Sequence, residues 1–385
     1  MRSSVALQTF YLARRIAQCG YNPIVVCPTE NIKQRQILES IGGVQTLRVP
    51  SFKTKDVNFL RRTISEMLLP FMLLIGIHRS RLTQKSYSAI IWYSPTIFLG
   101  PAIAYLKKKF NCPSYLILRD LFPLWVLDLG LIKKGFTYYV LKAFEKFQYL
   151  QADVIGVQSK EAILYVQKEI ETPKIKVNHL KNWFDDIEPK VCSIQINRTK
   201  LKNRKICVYT GNIGKPQNAD IFIDLAISMR ENFEIGFLFV GRGTEKKRLE
   251  NLARTNQLNN VLFFNEIDPS EIPELLDQCH LGLLALDPSH SSGNVPGKFI
   301  TYLRSSLPVL ACINSKNELC EEINNRSLGF ATSNWDVELI HAKALELLDE
   351  NGRRLMKETT RKYYENNFST SAAATQILRD LFPIH

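Results

Sequence analysis

Short continuous apolar runs alternate along this chain with stretches whose apolar residues return every three to four positions. In the first half the runs are "PIVVC", "AIIWY", "SYLILR", "DVIGVQ" and "IKVNHL". Helical periods lie between them, near 5–19, 57–77, 97–110, 136–150 and 159–169. In the second half the runs are "KICVYT", "GFLFVG", "VLFFNE", "LGLLAL", "PVLAC" and "GFAT". Helical periods there fall near 218–231, 244–257, 271–278, 297–306 and 335–349, and the chain after Asn351 reads as helical to its last segment, "STSAAATQILRDLF". Strands that are apolar on both faces, separated by amphipathic helices, predict an α/β protein with parallel sheets covered on both sides.

The alternation breaks between Asn182 and Asn203, where "NWFDDIEPKVCSIQINRTKLKN" keeps no period. This predicts two Rossmann-like domains, 1–182 and 204–368, joined by a linker at 183–203. Residues 369–385 form a last helix that can pack back on the first domain. At 385 residues, two domains are also the expectation from length. In such folds ligands bind beyond the carboxyl ends of the strands, so candidate motifs should follow strands directly.

Four segments do. "YTGNIGKPQNAD" follows a strand and leads into a helix. Gly211 and Gly214 permit a tight turn, Asn212 can donate, and Lys215 adds a cation, an arrangement suited to phosphate at a helix start. It is neither a Walker A loop nor GxGxxG. "FVGRGTE" places Arg242 in the next turn, where a tight turn alone and a diphosphate contact are both open readings. "SHSSGNVPGK" offers Ser292, Gly293, Asn294 and Lys298 ahead of a helix that contains Thr301; phosphate and an ordinary cap both account for it. "LRDLFPLW" ends an apolar strand with Arg119 and Asp120, either a strand-end ion pair or a pair that orients a substrate.

Charge changes the picture for one half only. Residues 1–190 hold 27 Lys and Arg against 14 Asp and Glu, a net +13; residues 191–385 hold 23 of each. An excess confined to one half suits an anionic partner such as a membrane surface or a lipid diphosphate, or simply a solvated basic surface. No interleaved basic and aromatic motif supports nucleic acid. The apolar run Met67–Ile77 is too short to span a bilayer; flanked by basic residues, its helix suits either a membrane interface or a core. The eight cysteines form no CxxC pair and the six histidines show no ligand spacing, so neither a disulfide framework nor a metal is expected.

Taken together and in order, "RSSVALQTFYLARRIAQCGYNPIVV", "LRDLFPLWVLDLG", "YTGNIGKPQNAD", "FVGRG" and "NVPGKFITYLRSSLPVLA" resemble family 4 glycosyltransferases of the GT-B fold, in particular the WbuB type regarded as L-fucosamine transferases. The resemblance implies a retaining, metal-independent transfer of a sugar, N-acetyl-L-fucosamine among the candidates, from a nucleoside diphosphate donor, UDP foremost. The acceptor would be a polyprenyl-diphosphate-linked saccharide in surface polysaccharide synthesis (O-antigen or capsule). The enzyme would be cytoplasmic, peripheral at the inner membrane face, and without a cofactor. It further implies donor contacts by Gly211, Asn212, Gly214, Lys215, Arg242, Ser292, Gly293, Asn294, Lys298 and Thr301, with Arg119 and Asp120 in catalytic positions. The chain departs from the family where two glutamates with seven residues between them are common: Gly293 and Thr301 stand there.

The fold so implied opens on an apolar strand. This chain opens instead on a helical period through Val5, Leu7, Phe10, Leu12 and Ile16. The expectation is an N-terminal sheet lacking its first strand, with an open slot beside residues 23–27 and 88–93. A nucleotide-sugar 2-epimerase and a non-catalytic relative that binds nucleotide or a partner are the alternative functions.

Overall fold

In the computed structural model, residues 4–30, 36–54, 57–94, 96–128, 130–184, 189–288, 295–314 and 317–383 are described. The chain divides into two compact units: 1–183 with 370–385, and 184–369.

The first unit begins with helix α1 (Ser4–Gln18) and strands β1 (Ile24–Thr29), β2 (Ile37–Ile41) and β3 (Val44–Pro50). β2 and β3 are an antiparallel hairpin turned by Gly42 and Gly43, both at positive φ, and β3 also pairs parallel with β1. The sequence reading missed this hairpin, although Gly-Gly between two apolar segments is a hairpin signal. Helix α2 (Phe59–Arg79) leads to a four-stranded parallel sheet of β4 (Ile90–Tyr93), β5 (Ser114–Ile117), β6 (Val154–Val157) and β7 (Lys176–His179). Between these strands run α3 (Gly100–Phe110), α4 (Leu124–Asp128), α5 (Phe136–Tyr149) and α6 (Lys160–Ile170). Among the described residues no ladder joins β1 to β4, so the unit holds two sheets. Ile24 and Val26 of β1 nevertheless share an apolar cluster with Ile90 of β4.

Alternation along β5 sorts the layers. Leu116 points into a cluster with Leu69 of α2, Ile103 of α3, Tyr149 of α5 and Val166 of α6. Tyr115 and Ile117 point the other way, toward Leu12 and Ile16 of α1. Helices α2, α3, α5 and α6 therefore form one layer over the four-stranded sheet, with α1 on the opposite face.

The second unit is a six-stranded parallel sheet in the order β10-β9-β8-β11-β12-β13. Its strands are β8 (Lys205–Thr210), β9 (Ile235–Val240), β10 (Val261–Phe264), β11 (Leu281–Ala285), β12 (Val309–Cys312) and β13 (Gly329–Thr332). Helices α7 (Asp220–Ser228), α8 (Lys246–Thr255), α9 (Ile272–Asp277), α10 (Gly297–Arg304), α11 (Glu318–Asn325), α12 (Val337–Leu348) and α13 (Glu350–Asn367) cover both faces. The strand order reverses direction at β8, the switch point beside which ligands bind in such sheets. The polar stretch read as a linker is not free chain. Cys192, Ile194, Ile196 and Leu201 are buried in this unit's core. The backbone N–H groups of Cys192, Ser193 and Ile196 donate to the side chains of Glu274, Glu271 and Gln278. Such side-chain anchoring needs no hydrophobic period, which is why the sequence pattern is silent there.

The last helix, α14 (Thr370–Leu381), belongs to the first unit, where Ala373, Ala374, Ile377 and Leu381 pack against Leu12, Ile16 and Tyr115.

Candidate functional site

The site is built at the carboxyl ends of β8, β9 and β11. The turns after β8 and β9 are zipped together: Gly211 N–H donates to Val240 O (2.9 Å), Ile213 N–H to Arg242 O (2.8 Å) and Glu245 N–H to Ile213 O (3.0 Å). Glycine is required at this contact, because a Cβ on Gly241 would sit 1.8 Å from Gly211 O and one on Gly243 2.1 Å from Ile213 O. The loop after β11 joins them through Asp287 N–H to Pro216 O (2.9 Å).

This geometry revises several roles read from sequence. The N–H groups of Gly211 and Gly214 are not open donors: the first is bound to Val240 O and the second to the Gln217 side chain at 3.1 Å. Asn212 spends its amide N–H on the same Gln217 oxygen (2.8 Å). Residues 215–217 form a single 3-10 turn, and α7 begins only at Asp220, which puts an acid in its first turn and binds Arg248 in two parallel bonds of 2.7 Å. The α7 terminus therefore offers an anion little. Lys215 is exposed. Arg242 is exposed and paired with Glu266 at 3.0 Å. Thr301 returns its hydroxyl to Gly297 O, an intrahelical bond. Ser292, Gly293 and Asn294 lie outside the described residues.

Lys298 is different. It lies in the first turn of α10, whose N-cap, Pro296, supplies no side-chain bond and whose first turn holds no acid. Its ammonium sits 3.5 Å from the centroid of the Tyr209 ring at the end of β8. The amine is buried and has no hydrogen-bond partner among the described residues. Burial without a counter-charge lowers its pKa from 10.5 to about 7. Two residues that the sequence reading missed hold this pocket together. Tyr209 donates its hydroxyl to Asn212 O (2.9 Å), and Tyr302, one turn beyond Lys298, receives Thr210 N–H (2.9 Å). Gly282 leaves room for the Tyr302 ring, since a Cβ there would lie 2.5 Å away. Their tyrosines at a strand end and on a core helix face read as packing, so the sequence carried no separate signal. Such a pocket can bind an anion: it holds an unpaired ammonium beside an uncapped helix start, in apolar surroundings that strengthen the attraction.

Arg119 and Asp120 do not form the expected pair. Arg119 turns inward, stacks on Trp183 with its guanidinium carbon 4.4 Å from the ring, and donates to Leu180 O (3.2 Å). Its Nε and Nη2 have no partner among the described residues, and burial lowers its pKa to about 10. Asp120 is exposed. Adjacent residues leaving a strand point to opposite sides, which separates the two charges. Among the described residues, no group of three or more His, Cys, Asp or Glu gathers to hold a metal.

The family description "Glycosyl transferases group 1" matches residues 193–367. The matched segment falls within the second unit. The zipped turns and the Lys298 pocket both lie inside this matched segment. The Escherichia coli (strain K12) protein WcaI, described as a colanic acid biosynthesis glycosyl transferase, is 28% identical over 268 residues, covering 66% of this chain and 64% of its own length. The aligned part thus spans less than two thirds of that relative. Among solved structures, sucrose-phosphate synthase from Thermosynechococcus elongatus superposes with a TM-score of 0.63 at 15% identity, over 97% of this chain and 92% of its own. HepE from Anabaena, solved with UDP and glucose, gives 0.55 at 14% identity, over 89% and 87%. The fold is of the GT-B type. The group 1 match lies wholly in the second unit, and the first unit accounts for the rest of the fold match.

Proposed function

We propose that this chain is a retaining, metal-independent glycosyltransferase that takes a sugar from a nucleoside diphosphate donor, with UDP the leading nucleotide. The observation that carries the reading is the buried Lys298 amine at the start of α10, unpartnered among the described residues and within the segment that matches group 1. A leaving diphosphate needs its developing charge neutralised. Without a metal, cationic side chains and a helix start can supply that. Lys298 is the inner cation of this arrangement. Exposed Lys215 and Arg242 are the outer ones, with Arg242 giving up Glu266 to reach the ligand. HepE, of the same fold, holds UDP and glucose, which supports a nucleotide sugar here. The acceptor we favour is a polyprenyl-diphosphate-linked saccharide of surface polysaccharide synthesis, met at the inner membrane face by the basic first half. The similarity to WcaI supports polysaccharide synthesis as the setting. N-acetyl-L-fucosamine, from the WbuB resemblance, is the first donor sugar to try. Arg119, with two unpartnered nitrogens, is the candidate for an acceptor-side anion.

A screen of nucleotide sugars tests this by nucleotide release, with membranes that contain lipid-linked acceptor. Release from one donor that falls at least tenfold in Lys298→Ala is the expected result. UDP titration with Lys298→Ala and Lys215→Ala gives the binding side. Each should lose about 1–3 kcal/mol if the cation meets a phosphate directly. Unchanged affinity in both variants refutes the donor site.

A further inference from the structure

The outward face of α2 is apolar for its whole length. Leu60, Ile64, Met67, Leu68, Phe71 and Ile75 recur at helical spacing and are all exposed, Leu60 at 70% and Phe71 at 57%. The buried side of the same helix is Ser65, Leu69, Pro70, Gly76 and Ile77. A surface helix normally shows the reverse, polar side outward. Helix α5 repeats the anomaly. Phe136 (86% exposed), Tyr139, Val140, Phe147 and Leu150 lie along one exposed stripe, while Leu141, Glu145, Gln148 and Tyr149 face inward. Both helices pack on the turn at Ile97–Leu99 and on α3, within the one layer that covers the four-stranded sheet. At the α3–α5 crossing Gly100 lets Phe147 come close. The two stripes therefore face the same way from the same layer. Together they make an apolar surface larger than scattered exposed residues explain.

The charges around it select the occupant. Arg61 and Arg62 stand at the start of α2, and His78 and Arg79 in its last turn, with Arg81 just beyond. Lys133 and Lys134 precede α5 and are exposed. The acids of the two helices are withdrawn. Glu66 is held by Arg62 at 2.7 Å, and Glu145 is fully buried and binds Lys142. Apolar stripes flanked by cations, on two helices whose own described acids are withdrawn, fit the boundary between headgroups and acyl chains of an anionic bilayer, with exposed Glu171 held by Lys146 of α5 at 3.2 Å. No helix of the described residues is long and apolar enough to cross a membrane, so the helices would lie in the interface plane. We infer that α2 and α5 form a two-helix seat on an anionic lipid surface, with Phe71, Phe136 and Phe147 entering the acyl boundary. The inference deepens the membrane partner of the proposed function by naming the residues that make it, and its test needs no sugar transfer.

The full chain is titrated with vesicles of neutral phosphatidylcholine and with vesicles that also contain phosphatidylglycerol. The expected result is binding to the anionic vesicles that weakens as salt rises, since screening shortens the reach of surface charge. Phe71→Asp with Phe147→Asp should reduce it at least tenfold, and so should Arg61→Glu with Arg79→Glu. All four positions are exposed, so unchanged thermal unfolding identifies folded variants, and the charge pair leaves the apolar stripe intact. UDP titration of the same variants should be unaltered. Failure of the transferase reading alone would leave the vesicle result in place. No binding to anionic vesicles overturns the inference. So does a concentration-dependent dimer, seen by sedimentation, that the Phe71 and Phe147 changes dissolve while vesicle binding stays as it was.

Discussion

Lys298 carries its charge into a pocket that offers a ring face and no carboxylate among the described residues. An unpaired buried charge destabilises a fold, so Lys298→Met should raise the melting temperature of the free chain by about 2–6 °C while weakening UDP binding. A rise in one quantity with a fall in the other separates a binding role from a packing role. The same amine links binding to pH. In the free chain it titrates near 7, whereas an unfolded chain keeps the ordinary 10.5. Between those values the unfolded state holds more protons, so stability rises with pH through that window, and the cost of the buried charge is complete below it. A bound phosphate favours the ammonium and lifts its pKa again. UDP binding near pH 8 should therefore take up protons, and affinity should decline as pH climbs above 7. Calorimetry in buffers of different ionisation enthalpy measures that uptake, and Lys298→Met should abolish it. Sequence showed Lys298 beside a glycine-rich turn, but not that it was buried, because burial depends on Tyr209, nearly ninety positions earlier.

Elements were legible where their periods were clean. All six strands of the second unit stand out as apolar runs, since each is covered on both faces. Helix α11 was missed because its eight residues show only Leu319 and Ile323 as buried anchors, too few to establish a period. The β2–β3 hairpin was missed because its β2 strand is half exposed and mixed in character. At the site, the strands and α10 were readable. What was not readable was that the two glycine turns bind each other and so use up donors that looked open. Gly282 tests how tightly α10 is fitted to β11. Gly282→Ala pushes a methyl into the Tyr302 ring and should cost about 1–3 kcal/mol of stability. It should also weaken UDP binding, since Tyr302 fixes Thr210 at the mouth of the turn. Normal affinity alongside lowered stability would show that Tyr302 only packs.

At the scale of the whole chain, the charge excess and the two apolar helix faces belong to one unit, and the group 1 match belongs to the other. Removing 370–385 should therefore lower the unfolding temperature of the first unit and leave UDP affinity in place; loss of both together would show that the units do not fold separately. The return of α14 to the first unit also sets an order of events during synthesis. A ribosome makes residues 1–183 first, yet the helix that covers Leu12, Ile16 and Tyr115 emerges only after residues 184–369. At about 5–20 residues per second, those 186 positions take about 10–40 seconds to translate. The half that is made first is thus the last to close. Through that interval the nascent chain shows an uncovered apolar seam, a natural holding point for a chaperone, while the second unit behind it has everything it needs to fold.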